Sequence, residues 1–190
     1  MSFNILIATI GRPTLHTMLT SLLPQLTEKD IVTIVFDAVP AIPLNTETAS
    51  CRVRIIEEPE QLGFSGHAIR NKYKHLLEET DFVMHADDDD YYVADAFSEI
   101  KKQCVDVNTL YIAKMKFRDI DRIVPFENRV RIDNIGTPCG IIPHWLNKMG
   151  RWGHYEPAGD GIFYEEIAKH AGSIVFLDKI IYIVCPAPGR

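Results

Sequence analysis

The 190-residue chain lacks most of the signatures that assign a function at a glance. Its four cysteines, Cys51, Cys104, Cys139 and Cys185, are scattered and form no C-x-x-C pair. Neither a zinc site nor a disulfide framework is signalled, and reduced, cytoplasmic thiols are expected. There is no G-x-G-x-x-G and no G-K-S/T, which sets aside a dinucleotide fingerprint and a P-loop. The most apolar late stretch, 174–184, is broken by Asp178 and Lys179, far short of the ~18 apolar residues of a spanning helix. No charged segment followed by an apolar run opens the chain, so no secretory signal is expected. No basic stripe is present either, which argues against a nucleic acid partner.

What is present is an ordinary globular composition, 46% hydrophobic and 24% charged, which excludes disorder as the main state. The length favours one domain with a continuous core. The 26 acidic and 20 basic side chains give a net charge of -6, but four of the acids are consecutive, Asp87 to Asp90. Without them, 22 acids face 20 bases and the balance is -2. The acidity is therefore local.

The first half alternates apolar strands with helical periodicity. Residues 3–9 read as a buried strand. Leu15, Met18, Leu19, Leu22 and Leu23 mark one helix face, which Pro24 ends or kinks. Residues 31–37 and 53–57 read as strands, joined by a proline-containing loop over 38–50. Ser65 is placed to cap a helix with the apolar face Ile69, Tyr73, Leu76 and Leu77. Another strand, 82–86, runs into the aspartate tetrad, followed by a helix carrying Val93, Phe97, Ile100 and Cys104. This order implies a mostly parallel sheet flanked by helices. After it come a long strand at 110–117, a short one at 122–125 and an irregular stretch rich in glycine, proline and tryptophan. A helix at 161–170 and one or two strands at 173–184 close the chain.

In such sheets ligands lie beyond the carboxyl ends of the strands. Three strand ends stand out: Thr9 to Arg12, Asp37, and the tetrad. Carboxylates crowded after a rigid strand repel one another unless a cation neutralises them, and oxygen ligands suit Mg²⁺ or Mn²⁺. Such ions leave positions to substrate phosphates, so the tetrad predicts a diphosphate. Taken alone it equally suits a solvated acidic turn capping a helix near Val93. An EF-hand through Asp88, Asp90 and Glu99 fails at Val93, where the loop needs glycine. The segment 63–71 adds two glycines before a helix and Arg70, which could reach a phosphate or a base; by itself it also reads as a turn with a surface arginine.

Taken together and in order, T-I-G-R-P from Thr9, Asp37 at a strand end, G-x-x-x-x-x-R-N before the fourth strand and D-F-V-M-H-A-D-D-D-D resemble the GT-A glycosyltransferases, family 2 in particular. The resemblance covers roughly residues 3 to 100 and continues more weakly to about 184. It implies a single α/β domain with a nucleotide-sugar half at 1–105 and an acceptor-side half at 106–190. It places Thr9, Gly11 and Arg12 around the nucleoside and Asp37 on the base, often uracil, so that a UDP-sugar is favoured. Arg70 would contact base or phosphates. The D-x-D motif falls on Asp87, Asp88 and Asp89, with Asp87 near the ribose and the metal and Asp89 on the metal; a register on Asp88 and Asp90 stays open.

The resemblance also implies a later acidic pair opening a helix that faces the acceptor. Asp160 fills its second place and is the candidate base; Gly159 stands where an acid is usual, Glu156 is the rival, and a helix cap is the alternative role for Asp160. Trp145, Trp152, His154 and Tyr155 are placed to shape a carbohydrate or other hydroxyl acceptor site, with Trp145 equally suited to the core. His144, His154 and His170 are the possible third metal ligands. The expected reaction is a metal-dependent, inverting sugar transfer. Nucleotidyl transfer and a nucleotide-sugar-binding module without transfer are the competing readings, and a homo-oligomer is left open.

Overall fold

The strand β1 (Phe3–Thr9) is apolar at nearly every position because both its faces are covered. In the computed structural model, which describes residues 1–47, 49–153 and 158–186, it pairs in parallel with β2 (Ile31–Asp37) on one side and β4 (Phe82–Asp87) on the other. Phe3, Ile5 and Ile7 face the main core, whereas Leu6 points to a second cluster with Val35, Val83, Ile69, Tyr73 and Leu77. The buried Asn4 in this strand is satisfied, donating to the Glu78 carbonyl (3.1 Å) and accepting from Thr33 (2.9 Å).

Helix α1 (Leu15–Leu22) buries Leu15, Met18, Leu19 and Leu22, and Pro24 sits in the 3₁₀ turn that ends it, as the periodicity predicts. Strand β3 (Arg52–Glu58) pairs in parallel with β2. The crossover between them, 38–51, is a loop rather than a helix. Helix α2 (His67–Tyr73) covers the second cluster. Ser65 does not cap it: the residue lies in a left-handed conformation (φ 52°) inside a 3₁₀ turn, and Gly66 precedes the helix without a side-chain cap. The helix ends at Tyr73, so Leu76 falls outside the apolar face and is exposed.

The remaining strands curl the sheet. After β4 come β5 (Tyr91–Tyr92), helix α3 (Ala96–Gln103), β6 (Thr109–Phe117) and β7 (Ile123–Val124). Then β8 (Gly140–Pro143), α4 (His144–Asn147), α5 (Gly159–Ala168) and one long strand, β9 (Ser173–Val184), complete the described chain. The strand order is β3-β2-β1-β4-β8-β6-β9-β5, with β7 on β6. The short β8 is the joint: it pairs antiparallel with both β4 and β6 and so ties the parallel half to the rest. Among the described residues no helix is long and apolar enough to cross a membrane.

Gly140 at this joint lies under the buried Tyr164 of α5. Tyr164 accepts the Gly140 N–H (3.0 Å) and donates to the Thr137 carbonyl (2.8 Å). A Cβ on Gly140 would stand 2.5 Å from the Tyr164 ring. Gly140→Ala is therefore expected to lower stability by about 1–3 kcal/mol through overpacking, read as a lower urea midpoint; an unchanged midpoint would refute the close approach.

Candidate active site

The carboxyl ends of β1 and β4 lie side by side, with Ala8 opposite Asp87. The Thr9 hydroxyl donates to Asp88 Oδ2 (2.5 Å) and accepts the Gly11 N–H (2.9 Å). Gly11 has a left-handed φ of 78°, and its turn lets Arg12 fold back. Arg12 Nη1 then donates to Asp88 Oδ1 (2.9 Å) and Asp89 Oδ2 (3.2 Å). Thr9, Gly11 and Arg12 thus form one knot around Asp88.

Burial alternates along the tetrad. Asp88 and Asp90 are each 3% exposed, whereas the side chains of Asp87 and Asp89 are 35% and 16% exposed. Asp90 Oδ1 accepts the Cys185 N–H (2.7 Å), and the Asp87 N–H donates to the Tyr182 hydroxyl (3.0 Å). The tetrad does not cap a helix, because α3 begins only at Ala96 with Asp95 before it. Asp87 and Asp89 are the pair left facing solvent, with hard oxygen donors that suit Mg²⁺ or Mn²⁺. No three His, Cys, Asp or Glu side chains among the described residues are grouped to hold an ion, so a cation here would draw its other ligands from substrate and water.

Arg70 departs from expectation. Its side chain is fully buried, donating to Asp87 Oδ1 (2.5 Å) and to the carbonyls of Ser65 (3.0 Å) and Ala86 (3.2 Å), with Trp152 stacked 5.1 Å from its guanidinium carbon. It braces Asp87 from behind instead of presenting charge to a phosphate. Asp37 is likewise engaged: its two oxygens accept the N–H groups of Leu62 and Gly63, both at 2.7 Å, and hold the glycine loop against the sheet.

Asp160 lies in the first turn of α5, half-buried, with Thr137 Oγ1 3.5 Å from its Oδ2. Burial pushes its pKa above the usual carboxylate range, and the charge of Asp87 pushes the same way. The aromatic expectation is reversed. Trp152 is wholly buried, stacked on Phe163 at 4.2 Å, while Trp145 is 41% exposed and donates to the Val107 carbonyl. His144 is buried beside Thr80 at the opposite end of β4 from the tetrad, and His170 is exposed after α5, so neither serves as a metal ligand there. His154, Tyr155 and Glu156 lie outside the described residues. Two participants had no signal in the sequence. Tyr182 backs the tetrad from a distant strand, and His67 links α2 to the segment before α5 through Gly153.

The tetrad carries an electrostatic cost. Burial first, then Asp87 and Asp88, raise the pKa of Asp89; burial first, then Asp87, raise that of Asp90 to about 8. A carboxyl that binds its proton more tightly when folded stabilises the protein at low pH and loses that contribution as pH rises. Stability is therefore expected to decline from about pH 4 to about pH 8, and Asp90→Asn to flatten the decline; chemical denaturation across that range would show it, and an unaltered slope in the variant would refute it.

No protein-family model matches the sequence, and no curated protein is significantly similar to it. Solved structures are. S. aureus TarS residues 1–349 with UDP-GlcNAc superpose with a TM-score of 0.75 at 20% identity, over 100% of this chain and 60% of that one. The same fragment without that ligand gives 0.72 at 20% identity, over 97% and 60%. A mannosyltransferase from Pyrobaculum calidifontis, in complex with GDP-Man and Mn²⁺, gives 0.67 at 16% identity, over 98% and 58%. The chain thus spans about 60% of the length of these structures. Strand order, curled sheet and these likenesses together establish a single-domain GT-A glycosyltransferase fold.

Proposed function

We propose that the protein transfers a sugar from a nucleotide-diphosphate sugar to a hydroxyl of a carbohydrate or other acceptor. The observation that carries this reading is the convergence of two carboxylate sets. The partly exposed Asp87 and Asp89 stand at the end of β4, and Asp160, in the first turn of α5, is half-buried with its pKa raised by burial and, to a lesser extent, by the charge of Asp87. The UDP-GlcNAc and GDP-Man complexes of the similar structures support a nucleotide-sugar donor, and the Mn²⁺ of one supports a divalent ion. Within that class we take a UDP-sugar as the favoured donor.

Asp87 and Asp89 would hold Mg²⁺ or Mn²⁺, which when bound supplies positive charge to a departing diphosphate. Arg70 holds Asp87 in place from inside, and Arg12 holds Asp89 from the side. Residues 1–105 form the donor half, with Thr9, Gly11, Arg12 and Asp37 shaping the nucleoside end, and 106–190 the acceptor half. Asp160 accepts the proton of the attacking hydroxyl; its raised pKa brings it closer to neutrality, where a general base works best. Attack opposite the leaving diphosphate inverts the anomeric centre.

Thermal unfolding with UDP, GDP, UDP-GlcNAc and GDP-Man, each with and without Mn²⁺, tests donor binding. Asp89→Asn is expected to abolish the part of the shift that requires Mn²⁺, and an undiminished shift would remove Asp89 from the metal. Asp160→Asn is expected to keep nucleotide binding and lose transfer by about 100-fold or more, followed by release of nucleoside diphosphate. Wild-type turnover in the variant would move the base elsewhere, and a product of retained configuration would overturn the inverting step.

A further inference from the structure

One close approach in the wall of this site is at Gly159. A Cβ there would lie 2.4 Å from Cε1 and Nδ1 of His67 and 2.6 Å from the Gly153 carbonyl oxygen. Those distances restrict the position to glycine while His67 stands beside it. The acid that the resemblance leads one to expect at 159 is thus replaced in space by an imidazole from α2.

The ring is held rather than loose. Its Nδ1 lies 2.8 Å from the Gly153 carbonyl, and its centroid 5.4 Å from that of the buried Trp152. A carbonyl only accepts, so the proton resides on Nδ1 and the lone pair on Nε2. Nε2 has no hydrogen-bond partner among the described residues. Burial first, and the nearby Arg70 charge second, lower the pKa, so the ring is neutral at physiological pH. The ring packs against Gly159, next to Asp160 in the first turn of α5, and the charges of Asp160 and Asp87 both act on it.

We propose that His67 is a substrate-positioning residue, whose Nε2 accepts a hydrogen bond from a hydroxyl of the donor sugar while its Nδ1 edge occupies the space beside Gly159. The inference rests on the proposed nucleotide-sugar function. Its physical logic is charge. A carboxylate at that point would add repulsion to an Asp160 whose pKa burial already raises, whereas a neutral imidazole accepts a hydrogen bond without it. Tethering Nδ1 to backbone fixes the ring, so little freedom is lost when the sugar binds.

His67→Phe keeps a ring in the space and deletes both nitrogens; His67→Gln restores an acceptor. Calorimetry would compare UDP with UDP-GlcNAc, and GDP with GDP-Man, in Mn²⁺, for wild type and both variants. The expected result is that His67→Phe binds the sugar nucleotide preferred by wild type about tenfold more weakly, with affinity for the free nucleotide unchanged, and that His67→Gln recovers part of the loss. Equal weakening toward nucleotide and sugar nucleotide would make His67 purely structural and overturn the inference. Unaltered binding of both would do the same while leaving the transferase reading intact. Failure of wild type to bind any of the four would instead overturn that reading, and the inference with it.

Discussion

Four adjacent carboxylates at the end of a buried strand are the constraint around which the rest of the site is arranged. Like charges this close oppose one another, and the fold answers with different partners for each. The buried Arg70 sits behind Asp87, Thr9 and Arg12 occupy both oxygens of Asp88, Arg12 also touches Asp89, and the Cys185 amide serves Asp90. Arg70 is the most consequential of these. A guanidinium without solvent contact would be untenable without its carboxylate, and removing Asp87 would strand a charge in the interior. Its surroundings, Trp152 and the Ser65 and Ala86 carbonyls, are therefore fixed by an electrostatic need as much as by packing.

The same demand explains the sidedness of the tetrad. Two aspartates turn inward, and two turn partly outward, each beside an arginine. The alternation is set by the turn at Asp88 and Asp89 that follows the end of β4. It leaves the outward pair, at alternate positions, as the place that an added cation can reach.

The parallel half of the fold was legible because its strands are buried on both faces, so β1, β2 and β4 appear as unbroken apolar runs with polar residues only at their ends. That contrast also exposed Thr9, Asp37 and the tetrad. The second half was less legible for a physical reason. Strand β8 is four residues long, begins with glycine and ends with proline, and carries no periodicity to read, yet it is the central joint. Site residues were legible by place but not by direction. Spacing brings Arg70 near the strand ends, but whether its charge faces solvent or interior depends on Trp152, 82 positions later. Similarly, one tryptophan of two is core, and the choice is settled by Phe163 stacking on Trp152, which no local pattern encodes. His67 was invisible because its significance lies in the missing side chain at Gly159.

The long strand β9 has a further consequence, for the order in which the molecule assembles. It supplies Tyr182 to Asp87, and Cys185 just beyond it serves Asp90; both contacts span 95 positions of sequence. A chain emerging from its N-terminus can pair β1 with β2 and β4 early, since those contacts close shorter loops, but its acidic turn has no backing until residues 182–185 arrive. The cation-attracting end of the sheet is thus among the last features to acquire its final shape. During synthesis the tetrad passes through a period as a cluster of incompletely backed charge, until residues 182–185 bring the Tyr182 hydroxyl and the Cys185 amide to it.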